Sequence, residues 1–267
     1  MFKIYEKLNK LFCKLGRKIV STVYFTGEIS ILTAESIYFS LRPPYKIGSI
    51  FRQANFVGVN SFSIVFLVAL FTGMVLALQS AYALQKFSAE IYVAGLVSLS
   101  MTRELGPVLT ALIIAGRVGA AISAELGTMK VTEQIDALRT LSANPIKYLV
   151  VPRFLALIIM LPVLTIYADA IGIAGGYLIA IWKLGIGSHM YLKSSFSALL
   201  FKDVFTGLFK SIFFAVIIAI VGCYEGMNAK GGAEGVGRAT TSAVVISFIL
   251  IIACDCFFTA LFYFVMK

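Results

Sequence analysis

Charge is scarce in this chain of 267 residues: 13% of its side chains are charged, against 60% that are hydrophobic. A water-soluble globule with that ratio would hold more apolar side chain than its core could cover. A soluble fold is therefore excluded, and a mean hydropathy of +0.93 points to a protein built into a membrane. Histidine is limited to His189, which excludes an HExxH zinc site and a serine-histidine triad within the membrane. No GxxxxGK[ST] phosphate loop occurs, so the chain is not its own conventional ATPase. The glycine-rich run EGMNAKGGAEGVGRATT lacks the lysine-serine pair and reads as a flexible connection between two apolar helices. Cys13, Cys223, Cys254 and Cys256 have neither metal-type spacing nor histidine partners, and read as packing residues without disulfides. There is no low-complexity tract and no evident internal repeat. Basic and apolar residues alternate at the start, without a small-residue cleavage site, so no cleavable signal peptide is expected.

Long apolar runs fill the rest. Stretches of the roughly 20 residues needed to cross a bilayer fall at about 56–84, 93–124, 148–182, 204–224 and 241–266. They predict an all-α integral membrane protein with about five transmembrane helices. The net charge of +10 could suggest nucleic acid, but Lys and Arg gather in the N-terminal segment and in short loops, the pattern of membrane orientation. The N-terminal segment, the loop 125–147 with Lys130, Arg139 and Lys147, and the loop with Lys230 and Arg238 should share the cytoplasmic side. The C-terminus then lies on the opposite side.

Residues 19–41 are long enough to span but contain Glu28 and Glu35, and a sixth span there would send a basic region to the wrong side. An interfacial segment fits better. Ile4, Leu8, Leu11, Phe12, Leu15 and Ile19 recur at helical spacing, with Lys3, Lys7, Lys10, Lys14, Arg17 and Lys18 on the other face, as in a helix lying among headgroups. A simple anchor to anionic lipid explains this pattern equally well. Arg42-Pro43-Pro44 should break the helix before the first span. The chain thus divides into a basic interfacial segment, 1–55, and a transmembrane domain, 56–267.

Charges within the spans are the strongest functional signal, because one placed mid-bilayer costs at least ~2.5–3.5 kcal/mol unless it faces protein or water. Arg103, Glu104, Asp169, Lys210 and Asp255 all map to the half of the membrane opposite the basic loops. Their common depth suggests one polar chamber. Consecutive helix residues point about 100° apart, so Arg103 and Glu104 need partners on other helices. The expected pairs are Glu104 with Lys210 and Arg103 with Asp255; structural ion pairs fixing helix register are the alternative. Arg117 and Glu125 belong to the basic-loop boundary, where snorkelling is cheap. Gly172 with Gly176, and Gly222 with Gly226, have the small-residue spacing that lets helices approach closely. Gly106-Pro107 should loosen the second span beside the charged pair. In the loop GTMKVTEQIDALRTLSANP, Thr132 can cap a short amphipathic helix that Asn144-Pro145 stops. That helix could dock into a partner or rest on the membrane.

MTRELGPVLTALIIAGRVGAAISAELGTMKVTEQIDALRTLSANPIKYLVVPRFLA, with LPVLTIYADAIGIAGGYL, KSIFFAVI and GVGRATTSAVV, closely resembles the MlaE-type permease family, the membrane subunits of bacterial phospholipid ABC transporters. The resemblance covers about 56–262. It implies a permease homodimer in the cell inner membrane, with cytoplasmic ATPase subunits and an outer-facing MCE-domain subunit, moving phospholipid between inner and outer membranes. ATP and Mg would be bound by the ATPase, leaving this chain without a cofactor and non-catalytic, its C-terminus periplasmic. Position by position, the resemblance makes Arg103, Glu104, Asp169, Lys210 and Asp255 lipid-cavity residues. It makes 125–144, with Glu125, Lys130, Glu133, Asp136 and Arg139, the ATPase-coupling segment, and Arg238 an inner-side contact. Two other classes remain: an ion-coupled transporter using Glu104, Asp169 or Asp255, and a membrane-embedded lipid enzyme, for which nucleophile and base candidates are few.

Overall fold

A computed structural model of the chain describes residues 2–43, 46–87 and 89–265, with side chains within 16–264 apart from those of 18, 19 and 22. Every element among the described residues is a helix. Five helices are long and apolar enough to cross a membrane, as the apolar runs predict: Ile47–Gln85, Glu90–Val131, Ile146–Trp182, Phe201–Met227 and Gly232–Phe264. All five begin earlier than the apolar runs because residues with polar side chains join the same helix.

α1 (Phe2–Ser40) is one continuous helix, and it is not among the five. Its second half packs on the bundle, burying Leu32 and Ser36, and the Tyr224 hydroxyl donates to Glu28. The side chains of the amphipathic pattern from Lys3 to Leu15, with Lys18, Ile19 and Cys13, lie outside the described residues. The helix ends before Arg42-Pro43, as expected; Pro44 also lies outside the description. α2 (Ile47–Gly58) passes through a tight turn at Val59–Ser61 into α3 (Phe62–Gln85), so residues 47–55 are in one helical run with the first span.

The second span is interrupted twice. α4 (Val93–Ser100) leads into a π turn at Met101–Leu105, α5 (Gly106–Ile114) into another at Ala115–Gly119, and α6 (Ala120–Val131) completes it. Pro107 accounts for the first, since its ring removes a backbone donor and displaces the ladder. α7 (Gln134–Thr140) is the short helix expected in the loop. A π turn at Ile146–Val150 opens the third span, α8 (Val151–Trp182). Around His189 there is a helix, α9 (Ser188–Ala198), fixed by fully buried Tyr191, whose hydroxyl donates to the Ile173 carbonyl at 3.2 Å. α10 (Phe201–Met227) and α11 (Gly232–Val265) are the last two spans. Only residues 228–231 separate them, so the glycine-rich run is mostly helical rather than a flexible connection. Gly231 at φ 92° and Gly232 at φ 69° supply the left-handed backbone this tight reversal needs.

Lipid tails are as apolar as leucine, so close van der Waals packing has to hold these helices together. Glycines provide it. A Cβ at Gly73 would collide with the Gly172 carbonyl and one at Gly175 with the Leu70 carbonyl, locking α3 against α8. Gly222 would bring a Cβ to 3.2 Å from the Gly119 carbonyl, and Gly226 one to 2.9 Å from that of Ser123, locking α10 against α6. The central core, with Ile114, Ile122, Leu157, Leu161, Phe214 and Ile218, fills the space between the second, third and fourth spans. The bundle thus has an end carrying α9 and an opposite end carrying α7.

Candidate functional site: a charged chamber at the α9 end

Near the α9 end the second and fourth spans touch through backbone: a Cβ at Gly207 would collide with the Thr102 carbonyl. One turn further along α10, Lys210 enters the gap with its side chain fully buried. Its Nζ donates to Glu104 Oε2 at 2.7 Å, Asp255 Oδ1 at 2.9 Å, Thr259 Oγ1 at 2.8 Å and the Arg103 carbonyl at 3.2 Å. The last contact follows from the sequence. The Arg103 carbonyl would ordinarily accept from residue 107, but Pro107 has no N–H, and the lysine donates in its place. Thr259 in turn donates to Glu104 Oε1 at 3.1 Å. An ammonium in an apolar bundle is tolerated only when paired and hydrogen-bonded, and here three spans converge to pair it.

Glu104 therefore meets Lys210 as expected, while the expected pair of Arg103 with Asp255 does not form. Arg103 Nε donates to Asp203 Oδ1 at 2.6 Å, because its side chain leaves the π turn toward the start of α10. Asp255 joins Lys210 instead. Asp203, only 3% exposed, also accepts from the Leu200 N–H at 2.9 Å, capping the first turn of α10 where a carboxylate is favoured. The apolar pattern begins the span at 204 and so hid it, although an acid in a helix's first turn is a recognisable signal.

These groups line a cavity of about 400 Å³ with Arg103, Glu104, Lys202, Asp203, Lys210 and Thr259 on its polar side and Leu200, Phe262 and Tyr263 beside them. Phe209 extends the apolar wall by edge contacts with Phe258 and Phe262 at 5.5 and 5.7 Å. Three cations (Arg103, Lys202, Lys210) stand against three carboxylates (Glu104, Asp203, Asp255), so the chamber with its Asp255 brace is formally neutral. Lys202 makes no ion pair among the described residues. Asp169 is not brought into this chamber. It lies against Gly106, where any Cβ would collide with its carboxylate, and Oδ1 is buried without a hydrogen-bond partner. Its depth matches the other charges, but its helix face turns toward α5. No group of His, Cys, Asp or Glu among the described residues is arranged to hold a metal.

Residues 50–261 match the family described as "Permease MlaE". The chain belongs to the MlaE permease family. Among relatives of this MlaE-family chain, the "Probable ABC transporter permease protein" of Rickettsia felis is 48% identical over 249 residues, 93% of this chain and 96% of the relative. The Rickettsia prowazekii protein of the same type is 48% identical over 96% of this chain and 99% of its own length. The corresponding Synechocystis protein is 42% identical over 92% and 91%.

At the α7 end, the permease residues expected to couple to an ATPase form two separate groups. Glu125 accepts from Arg153 Nη2 at 2.7 Å, and Arg153 is only 5% exposed; this bridge ties α6 to α8, and the sequence reading missed the arginine within VPRFLA. Lys130 Nζ and Arg139 Nη1 both donate to Asp136, at 2.8 and 3.2 Å. Hydrogen bonding from Lys130 lowers the Asp136 carboxyl below its ordinary range. Thr132 does not cap α7: its hydroxyl donates back to the Thr128 carbonyl at 2.8 Å, and Glu133 makes the turn in a left-handed conformation, φ 61°. Ile135 is buried in the core while Gln134, Ala137 and Arg139 are exposed, so α7 docks by one face and presents the other. Asn144, expected only as a stop, accepts from the Ile146 N–H at 2.9 Å and starts the third span. Arg117 does not snorkel: it donates to Ser61 Oγ at 2.6 Å and the Phe56 carbonyl at 3.3 Å, holding the turn between α2 and α3. Arg238 pairs with Glu234 one helical turn away, at 3.0 Å.

Proposed function

We infer that this permease is the membrane subunit of an ABC transporter that moves glycerophospholipid, and that the chamber at the α9 end receives the headgroup. The observation that carries the reading is the amphipathic chamber itself. Arg103 and Lys202 can receive a phosphate, Glu104 can receive a cationic group, and Phe262 and Tyr263 offer an apolar wall to the adjoining glycerol and acyl carbons. A soluble inorganic ion has no use for such a wall. Buried Lys210 holds Glu104 and Asp255 in place from behind, so the ligand meets charges that are already oriented.

ATP is hydrolysed on a separate chain. The exposed face of α7 and the Lys130-Asp136-Arg139 cluster form the surface on which that ATPase acts, with Glu125-Arg153 transmitting its movement to α6 and α8. Positive charge in the loops at the α7 end supports a cytoplasmic location for that end, in the inner membrane, with the α9 end facing an MCE-domain subunit. A second copy of the permease would cover part of the first and fifth spans, which are the least buried, at 28% and 17%.

The test is gentle purification of the tagged chain from its native membrane, with mass spectrometry of co-purifying proteins and lipid. An ATPase, an MCE-domain subunit and stoichiometric phospholipid are expected. A chain recovered alone and lipid-free, under conditions that keep other membrane complexes intact, overturns the reading. The ion-coupled alternative rests on Asp169, whose Oδ1 has no partner; transport that follows a proton gradient and ignores ATPase inactivation favours it.

A further inference from the structure

A second cavity, of about 340 Å³, lies at the α7 end, far along the bundle from the charged chamber. Its walls are Phe39 at the end of α1, Ile50 in the first turns of α2, and Tyr148, Val151 and Pro152 at the start of the third span. Lys46 and Lys147 complete it, each just at the start of a membrane-spanning helix. Apolar side chains therefore line the slot, and both ammonium groups stand at the starts of the two helical runs that carry it. Lys46 Nζ lies 3.3 Å above the Tyr148 ring, and Lys147 Nζ has a long contact of 3.5 Å to the Pro43 carbonyl. Neither lysine has a carboxylate within ion-pair distance among the described residues. That is unlike Lys130 and Lys210, which are neutralised by acids.

We propose that this groove is a binding site for one anionic phospholipid of the leaflet at the α7 end, its phosphate held by Lys46 and Lys147 and an acyl chain lying on Phe39, Ile50 and Val151. Two uncompensated lysines above an apolar slot complement a negative headgroup joined to a hydrocarbon tail. A zwitterionic lipid brings its own cation to the same place and gains less. The bound lipid bridges the break between α1 and α2 to the loop after α7, reinforcing two segments that meet there through the Lys46 contact with the Tyr148 ring and the long Lys147-Pro43 contact. The site differs from the transport chamber in place and chemistry, and it stands whether or not that chamber carries lipid.

The chain has a single tryptophan, Trp182, exposed at the other end of α8. The full chain carrying Trp182→Phe and Phe39→Trp therefore reports from the groove alone. It is reconstituted in phosphatidylcholine vesicles doped with brominated phosphatidylglycerol or, in parallel, with the same amount of brominated phosphatidylcholine. Quenching by the anionic lipid should exceed that by the zwitterionic one, with an apparent preference on the order of tenfold from two lysines. That preference should vanish when Lys46→Gln and Lys147→Gln are added. Equal quenching by the two lipids, no quenching by either, or a preference that survives loss of both lysines overturns the proposal. Ile50→Trp in the same background provides an independent reporter should Phe39→Trp fail to fold.

Discussion

Replacing Lys210 with methionine keeps most of its volume but removes the cation that faces both Glu104 and Asp255. The side chain is fully buried and gives up hydrogen bonds to two carboxylates, one hydroxyl and one carbonyl, all within 3.2 Å. Removing one member of a buried ion pair costs about 3–5 kcal/mol, most of it the penalty of leaving a charge unpaired. For a chain of this size each kcal/mol lowers the melting temperature by about 2–4 °C, so K210M should melt roughly 6–20 °C below the parent. The decisive comparison is the triple variant K210M/E104Q/D255N. It removes the stranded charges along with the lysine and should recover most of the loss, since an uncharged replacement of a buried network is often nearly neutral. Thermal unfolding of the purified chains in one detergent measures both. A K210M protein that melts with the parent would show that the lysine does not hold the three spans together. A triple variant no better than K210M would show that the cost comes from packing and not from unpaired charge.

Charge exchange distinguishes the partners of Arg103: R103D/D203R should regain stability lost in either single variant, whereas R103D/D255R should not, and a reversed order would refute the geometry. Gly73→Ala forces a methyl into the Gly172 carbonyl and should destabilise by at least about 1–3 kcal/mol. Gly237→Ala has open space and should be neutral or gain up to about 1 kcal/mol of helix propensity; equal melting of the two would refute the close contact of α3 with α8. The Asp136 carboxyl is held below its ordinary range, so its contribution is complete above the unfolded pKa and is lost as pH falls through the lower folded pKa. Amide exchange in α7, corrected for intrinsic rate, should therefore be unchanged from about pH 7 to pH 5 and rise only in stronger acid; loosening within the milder window would refute the bracing role.

Apolar run length fixed the number of spans because hydrocarbon thickness dictates it, and charge within those runs led to Arg103, Glu104, Lys210 and Asp255. Their pairing was less legible. Which carboxylate Arg103 meets depends on the π turn at Met101–Leu105, which rotates the helix face there, and sequence spacing assumes a regular helix. Asp169 shows the same limit from another side: depth can be read from position along a helix, but azimuth depends on which neighbour lies across, here Gly106. Asp203 and Arg153 were missed because both stand at span ends, where charge is ordinary; a first-turn acid is a signal for Asp203, whereas burial alone distinguishes Arg153. The left-handed turn at Glu133 has no glycine to announce it, so α7 begins beyond the threonine that would have capped it.

The central claim is that the charges at the α9 end hold a phospholipid headgroup, and the most direct test is lipid retention in a variant that keeps Lys210 paired to a carboxylate. Glu104→Gln with Lys202→Gln removes one group of each sign from the chamber wall and leaves Lys210 paired to Asp255. Phospholipid bound per permease is then quantified by mass spectrometry in the intact transporter, parent against variant, after confirming equal melting. Retention should fall about tenfold or more, the value of two charge-assisted contacts. Undiminished phospholipid in a variant that melts with the parent would contradict the account and leave these residues as structural ion pairs.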